Sequence, residues 1–427
     1  MNFKGYIAKY QKVITTAGTL ILIQLLIALI GFFTRIEVAN ILGSKNYGDM
    51  SFGIAIGSYV AAFVHFGLDK SLVRDLIHNR DRFGEVLRIS LEIKIFLFAV
   101  AFLCFLFIRP FLNQDEFSLA IFLIAVATAC QAFNLQPAFD VKTRSKEYSL
   151  YSFLERVVYF SCIWTVVILP FFVLTLNKVG MFMLAAVFVG MCLQYRAART
   201  WFVTDAKSIS RIEKRHFVGA NVWIWFAVLF SLSIDWLTPI VLKFFNGSKV
   251  LGSYGAAWLI IQIGIMSINQ IGRLGVTALA RFNDGHFDYQ SKIKFLLKYL
   301  LVMIAAGTSV GLPCILFAEK IIGVFTNEYV DASSVLRILG FYPILFGPYL
   351  VFLQQLICSR KQKTYFLLIA ISGLTSAALS VLLIPRYGAI GAAYSVILSI
   401  SFALILFSIA VTKTFVCVTS YPPNRTN

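Results

Sequence analysis

Gly247-Ser248-Lys249-Val250-Leu251-Gly252 is a short turn-like sequence that precedes a long apolar stretch. A related sequence, Gly43-Ser44-Lys45-Asn46-Tyr47-Gly48, occurs 204 positions earlier and also precedes an apolar stretch. Both copies follow the pattern Gly-Ser-Lys-x-x-Gly. A repeat whose offset is nearly half of the chain length is typical of an internal duplication, so the sequence predicts two related halves.

Polar side chains recur at matched places after the two turns. Gln262, Asn269 and Arg273 are seven and four residues apart, a spacing that places them on one face of a helix. In the first copy, His65 and Asp69 hold the places of Asn269 and Arg273. The sequence therefore predicts two related helices that each present a polar stripe to a cavity between the halves.

The composition is that of a membrane protein. Apolar residues make up 59% of the chain and the mean hydropathy is +0.81, whereas soluble domains contain roughly 45–50% apolar residues. The sequence predicts an all-α polytopic fold with twelve transmembrane helices, in two six-helix pseudo-symmetric lobes (1–205 and 206–427) around a central cavity. The predicted spans, each near the ~20 residues that cross a bilayer, are 13–36, 49–68, 89–108, 117–139, 149–173, 179–195, 217–242, 252–280, 295–318, 333–357, 365–384 and 389–412.

The net charge of +18 is distributed as expected for a membrane protein and not for a nucleic-acid-binding protein. With the first helix starting inside, the inward segments hold 26 Lys and Arg residues and the outward loops hold seven. Cytoplasmic loops carry such an excess of positive charge, so both termini are predicted to be cytoplasmic. The basic N-terminal region runs into an apolar stretch too long for a cleaved signal peptide, which predicts a retained first helix.

The sequence has no pattern typical of an enzyme. It lacks a Walker A sequence, a His-Glu-x-x-His motif, a nucleophile elbow and a metal-ligand cluster, and its seven cysteines are scattered. We therefore expect no catalytic residues, cofactor or metal. Without an ATP site, uphill transport would need an ion gradient or a partner.

Ionisable residues within the apolar spans are the candidates for function, because such residues are costly in a membrane. Arg35 shares one face of the first helix with Gln24; alternatively, it pairs with Glu37 or reaches the outer interface. Asp235 is an isolated acid in the seventh span and is a candidate proton or cation site; alternatively, it makes a structural hydrogen bond to a neighbouring helix. Asp69 and Arg273 hold equivalent positions and are a candidate latch between the lobes.

Two further motifs support a family resemblance. Leu42-Gly43 with Tyr47-Gly48 follows the first span, and Ile-Pro-Arg-Tyr-Gly-Ala-Ile-Gly-Ala-Ala at 384–393 precedes the twelfth. With twelve spans in two halves, the chain resembles the polysaccharide-transporter branch of the multidrug/oligosaccharidyl-lipid/polysaccharide exporter superfamily, in particular Wzx-type O-antigen flippases. The resemblance implies a carrier in the bacterial inner membrane that moves an undecaprenyl-pyrophosphate-linked oligosaccharide to the periplasmic leaflet by alternating access. It also implies membrane lipids, an O-antigen polymerase and a chain-length regulator as partners.

An anionic pyrophosphate and its sugars need a cationic, hydrogen-bonding interior, and several polar residues of the predicted spans supply one. Asp235 and Asp69 are the candidates for coupling or gating, with a proton or sodium as the coupling ion. The candidates for substrate binding are Arg35, Arg273, Gln24, His65, Gln262 and Asn269.

Three other functions remain open on the sequence. A cation-coupled multidrug antiporter of the same superfamily is expected to use carboxylates in the first lobe, where this chain has few. A peptidoglycan-precursor flippase usually carries extra helices for which this chain has no room. A glycosyltransferase or O-antigen polymerase is expected to have a large periplasmic loop, whereas the predicted outward loops are short.

Overall fold

The computed structural model describes residues 3–68, 72, 76, 83–108, 118–169, 173–202, 211–284, 289–358 and 362–420. Within these ranges, side chains are described except at 3–25, 106, 108, 211–218, 220, 221, 223, 224, 273, 274, 276–278, 280–284, 289, 362, 363 and 414–420.

The regular structure of the described residues is entirely helical, as predicted. Short 3₁₀ turns cover Gln131–Phe133, Arg199–Phe202 and Asn327–Tyr329. The helices are α1 Phe3–His65, α2 Phe83–Ile108, α3 Leu119–Cys130, α4 Gln136–Val141, α5 Ser145–Ile168, α6 Leu176–Ala198, α7 Arg211–Asp235, α8 Leu237–Asp284, α9 Tyr289–Leu316, α10 Ala318–Ile322, α11 Ala332–Leu339, α12 Phe341–Cys358 and α13 Gln362–Ser420.

Three of the helices contain one glycine with non-helical backbone angles. Gly43 interrupts α1, Gly247 interrupts α8 and Gly388 interrupts α13, and the chain is helical on both sides of each. The loops predicted around Gly43 and Gly247 are therefore single-residue breaks. Glycine permits this because it lacks a Cβ and adopts positive φ at little steric cost.

Eight helices of the described residues are long and apolar enough to cross a membrane, and three of these are the helices broken by glycine. Large apolar side chains on their surfaces are exposed; Ile168, Phe188 and Leu301, for example, are 70%, 66% and 65% exposed. Exposed apolar surface of this extent is expected where lipid replaces water. The fold is thus that of a polytopic membrane protein, and it is compatible with the predicted twelve spans.

The chain forms two compact units. The first comprises Met1–Leu42 and Phe52–Val228, and the second comprises Gly43–Ser51 and Leu229–Asn427. The segment Gly43–Ser51 therefore packs with residues that follow much later in the chain. The predicted lobe boundary at 205/206 falls outside the described residues and stays a prediction.

Each unit has its own core. In the first unit, Leu72, Leu76, Phe83, Leu87 and Phe139 are among the buried residues of one apolar cluster. In the second unit, a cluster includes the buried residues Ile268, Leu279, Tyr299, Met303 and Val351. Within a membrane, such clusters are stabilised by close van der Waals packing rather than by removal of apolar surface from water.

Candidate functional site

The two copies of the turn share one unusual backbone conformation. Gly43 has φ 73° and ψ 170°, and Gly247 has φ 81° and ψ 173°. This combination of positive φ and extended ψ is essentially restricted to glycine, since a Cβ would clash with the backbone. The duplicated sequence therefore corresponds to a duplicated backbone conformation. That conformation explains why each copy of the motif begins with glycine.

The second glycine of each motif lies against the other copy. A Cβ on Gly48 would overlap the carbonyl oxygen of Ser248, and a Cβ on Gly252 would overlap the carbonyl oxygen of Ser44. All four residues belong to the second unit. The two turns thus contact each other reciprocally, as equivalent surfaces do about a two-fold axis, and only glycine permits the backbones to approach so closely.

A buried ion pair accompanies this contact. Lys243 Nζ donates a hydrogen bond to Asp49 Oδ1 at 2.6 Å, and Ser248 Oγ donates to the same oxygen at 2.6 Å. The side chains of Lys243 and Asp49 are only 8% and 14% exposed. Because the pair is shielded from water, the loss of either charge would leave the other without compensation.

Glu328 binds the first turn from the segment between α10 and α11. Its Oε2 accepts a hydrogen bond from the backbone nitrogen of Ser44 at 2.8 Å. The backbone and side-chain hydrogen bonds of Ser44, followed by the charge of Lys249, lower the pKa of Glu328. A lowered pKa keeps the carboxylate charged in mild acid, so this contact is lost only when the pH falls below the ordinary range of glutamate.

Sequence reasoning missed the Asp49–Lys243 pair. It placed Lys243 in an outward loop, whereas the residue lies in α8 and is 9% exposed. The available signal was that residues of opposite charge flank the two copies: Asp49 directly follows Gly48, and Lys243 lies one helical turn before Gly247.

Asp235, a predicted coupling residue, lies in a cluster of buried aromatic side chains in the second unit. The Tyr342 hydroxyl donates a hydrogen bond to Asp235 Oδ1 at 2.8 Å. The Trp258 ring is 5.3 Å from the Tyr342 ring and 6.2 Å from the Tyr254 ring, measured between centroids. Within the described residues, no hydrogen-bond partner is found for the buried Tyr254 hydroxyl or Trp258 Nε1, and Tyr254 is within electrostatic range of Asp235. The cluster can therefore donate further hydrogen bonds beside a carboxylate.

The break after Asp235 follows from the local sequence. Helix α7 ends at Asp235 and α8 begins at Leu237, with Pro239 in its first turn. A proline ring clashes with the carbonyl four residues before it, which here is the carbonyl of Asp235. The proline thus ends α7 at the acid, inside the span predicted over 217–242.

The other predicted site residues lie in α1 and α8, except Asp69, which is outside the described residues. Arg35 and His65 lie half-buried in α1, and Gln262 and Asn269 lie half-buried in α8, seven residues apart on one face. Gln24 and Arg273 lie in helical parts of α1 and α8, but their side chains are outside the described residues, as is the whole of Asp69. The roles of these residues stay predictions.

The fold is shared with known transporters. A MATE-family multidrug resistance transporter of the MOP superfamily, in an inward-facing conformation, matches with a TM-score of 0.70 and 13% identity, over 91% of this chain and 99% of its own. The lipid II flippase MurJ, in an inward closed conformation, matches with a TM-score of 0.72 and 11% identity, over 93% and 89%. A MOP superfamily transporter from Pyrococcus furiosus matches with a TM-score of 0.59 and 12% identity, over 94% of each chain.

At these identities the structural likeness establishes the fold, and the family comes from the sequence. No curated protein sequence matches the chain. The sequence pattern of the polysaccharide biosynthesis protein family matches residues 14–277. The chain is thus a multi-pass helical protein that shares its fold with known transporters and matches a sequence family of polysaccharide biosynthesis. Because the match covers more than half of its residues, the chain belongs to the polysaccharide biosynthesis protein family.

Proposed function

We propose that this protein is a Wzx-type flippase of the bacterial inner membrane. It moves an undecaprenyl-pyrophosphate-linked oligosaccharide, such as an O-antigen repeat unit, from the cytoplasmic to the periplasmic leaflet by alternating access. The observation that carries the proposal is the family match, because it ties a multi-pass helical protein to polysaccharide biosynthesis. The likeness to a lipid II flippase adds support, since that protein moves a lipid on the same fold.

The substrate is recognised by polar residues of α1 and α8. An arginine deep in a membrane costs at least ~2.5–3.5 kcal/mol, so it needs a strong anionic partner. Pyrophosphate is such a partner, because a guanidinium group binds two phosphate oxygens at once. In this proposal Arg273 and Arg35 bind the pyrophosphate, and the neighbouring hydrogen-bonding side chains are Gln24, His65, Gln262 and Asn269.

Asp235 couples transport to a gradient of protons or sodium ions. Its carboxylate is held by Tyr342 in an aromatic, buried setting, where a change of charge alters the free energy of the surrounding cluster strongly. Uptake of a cation in one state and its release in the other would then drive the conformational cycle. Asp69 contributes to gating with Arg273.

The alternative is a cation-coupled multidrug antiporter, which the likeness to MATE-family transporters favours. The two functions predict different losses when the gene is deleted. A flippase mutant loses surface glycan and accumulates the lipid-linked repeat unit, whereas an antiporter mutant keeps its glycan and becomes sensitive to drugs.

The proposal is tested by surface-glycan complementation in a flippase-null strain and by transport in vesicles under imposed ion gradients. We expect Arg273→Lys to retain part of the transport and Arg273→Ala to retain very little, at matched membrane levels. We expect Asp235→Asn to weaken the response to the gradient more than it weakens substrate binding. Full complementation by Arg273→Ala would remove the pyrophosphate role, and an unchanged gradient response in Asp235→Asn would remove the coupling role.

A further inference from the structure

The first unit contains a polar cavity of about 140 Å³ that the proposed function has not used. It lies among α1, α3, α5 and α6, and its size is enough for several water molecules. The polar side chains that line it are Gln131, Asn134, Tyr148, Ser152, Glu155, Arg156 and Gln194.

One wall of the cavity is a break in a membrane-spanning helix. Helix α3 ends at Cys130, a 3₁₀ turn follows, and α4 begins only at Gln136. The apolar pattern predicts one continuous span over 117–139, although Asn134 and Pro137 are signals for a break within it. Non-helical backbone at membrane depth is found where it is buried in protein or lines a polar cavity.

Three side chains from neighbouring helices satisfy the broken backbone. Lys94 Nζ of α2, which is 2% exposed, donates to the Ala132 carbonyl at 2.8 Å. Gln194 Oε1 of α6 accepts from the Leu135 nitrogen at 3.1 Å, and the Tyr195 hydroxyl donates to the Phe133 carbonyl at 3.1 Å. Three backbone groups at the break therefore have side-chain partners on neighbouring helices, which stabilise the non-helical backbone.

The cavity also holds polar groups that the protein leaves available to a ligand. None of the described residues makes a hydrogen bond to Glu155 or Arg156, which interact with each other only through their charges. With its Oε1 engaged by Leu135, Gln194 has its amide NH₂ group left as a donor. The carboxylate of Glu155 lies against Gly190 of α6, where a Cβ would come within 2.8 Å of Oε2.

The charge balance selects the class of ligand. One carboxylate and one guanidinium give no net charge, so the cavity favours neither a bare cation nor a phosphate. Carboxamides, hydroxyls and a tyrosine beside this pair offer both donors and acceptors, which suits a neutral molecule with several hydroxyl groups. We propose that this cavity binds a sugar of the lipid-linked oligosaccharide. This inference rests on the proposed function, because it assigns a second site to part of the same substrate.

Cys130 lines the cavity and provides a reporter for binding. In a protein whose other cysteines are replaced by serine, we measure the labelling rate of Cys130 by N-ethylmaleimide with and without the free repeat-unit oligosaccharide, released from its lipid by mild acid. We expect the oligosaccharide to slow labelling at least fivefold. A second protein that keeps only Cys192, an exposed residue of α6 outside the cavity, is expected to label at an unchanged rate.

Variants of the cavity locate the effect. We make Glu155→Gln, Gln131→Ala and Gly190→Ala in the protein that keeps only Cys130. Each is expected to raise, at least tenfold, the oligosaccharide concentration that gives half-maximal protection of Cys130 from labelling. Glu147→Gln, which changes an exposed glutamate of the same helix paired with Arg144, is expected to leave it unchanged. If one cavity variant fails to elute as a monodisperse protein, the other two still test the proposal.

Two results would overturn the inference. One is a Cys130 labelling rate that the oligosaccharide does not change. The other is equal protection by glycerol, the headgroup polyol of phosphatidylglycerol, which would mean that the cavity accepts any polyol from the lipid. Protection retained in a protein that moves no lipid-linked substrate would reject the proposed function instead, so the two failures are distinguishable.

Discussion

Asp49 shares one carboxylate oxygen between the ammonium group of Lys243 and the hydroxyl group of Ser248. Breaking a buried pair by removing one partner costs about 3–5 kcal/mol, whereas replacing both partners by apolar residues is often close to neutral. We therefore expect Asp49→Leu and Lys243→Met each to lower the free energy of unfolding by several kcal/mol. The double variant is expected to lose far less than the sum. Chemical denaturation of the purified protein in detergent measures this cycle.

The Arg88–Glu92 pair is the matched control. Its atoms are 3.3 Å apart, but its side chains are 74% and 47% exposed, so solvent screens the interaction. Such pairs contribute about 0–1 kcal/mol, and we expect no measurable coupling between Arg88→Met and Glu92→Leu. Additive losses for Asp49→Leu and Lys243→Met would show that the buried pair has no special energetic role.

The sequence points to Asp235 but not to the pairing of Asp49 with Lys243, because the two depend on different information. Asp235 was predicted because an isolated acid in an apolar span is visible in one dimension. Asp49 and Lys243 are 194 positions apart, and their pairing depends on how the turns pack, which composition and spacing do not encode. The latch predicted between Asp69 and Arg273 rests on the duplication alone.

At the scale of elements, the breaks in the helices depend on single glycines. Gly247 has φ 81° and ψ 173°, and beyond the adjoining backbone of its own helix a Cβ there would meet no atom within 4 Å. Its substitution therefore isolates the backbone cost, about 1–3 kcal/mol. We expect Gly247→Ala and Gly247→Asn to destabilise equally in thermal unfolding, because asparagine tolerates left-handed helical angles but not this extended ψ.

Two further glycines separate the possible causes. Gly252→Ala is expected to be worse than Gly247→Ala, because its Cβ would overlap the Ser44 carbonyl oxygen. Gly31→Ala, in a helical position of α1 with nothing within 4 Å, is expected to be neutral or slightly stabilising. Rescue of Gly247→Ala by asparagine at the same position would contradict the conformational explanation.

The sequence predicted which elements exist better than where they end. Apolar length predicts membrane-spanning helices, since roughly 20 residues must cross the bilayer whatever their neighbours, and eight helices of the described residues are long and apolar enough to do so. It did not reveal that α1 and α8 continue past their glycines, or that a span breaks between Cys130 and Gln136. Those breaks are stable because of partners on other helices, such as Lys94 and Gln194, which local sequence does not show.

At the scale of the molecule, segments predicted to face outward meet at one end of the second unit. Ser44 binds Glu328, the two duplicated turns contact each other, and a Cβ on Gly388 would lie 3.5 Å from Asn246 Nδ2. The positive-inside reasoning assigned all of these segments to one side of the membrane from charge alone. Their packing together supports that assignment, because segments on opposite sides of a bilayer would not touch.

This agreement gives a test of the orientation. Lys45 and Lys249 are exposed equivalents in the two turns, and Lys146 is exposed in a segment predicted to be cytoplasmic. In a cysteine-free background, we expect Lys45→Cys and Lys249→Cys to react with a membrane-impermeant maleimide in intact spheroplasts. Lys146→Cys is expected to react only after permeabilisation.

The two turn positions must behave alike, because their backbones are in contact, so labelling of one without the other would contradict the structure. Labelling of Lys146→Cys alone in intact spheroplasts would instead reverse the predicted topology and, with it, the direction of the proposed transport.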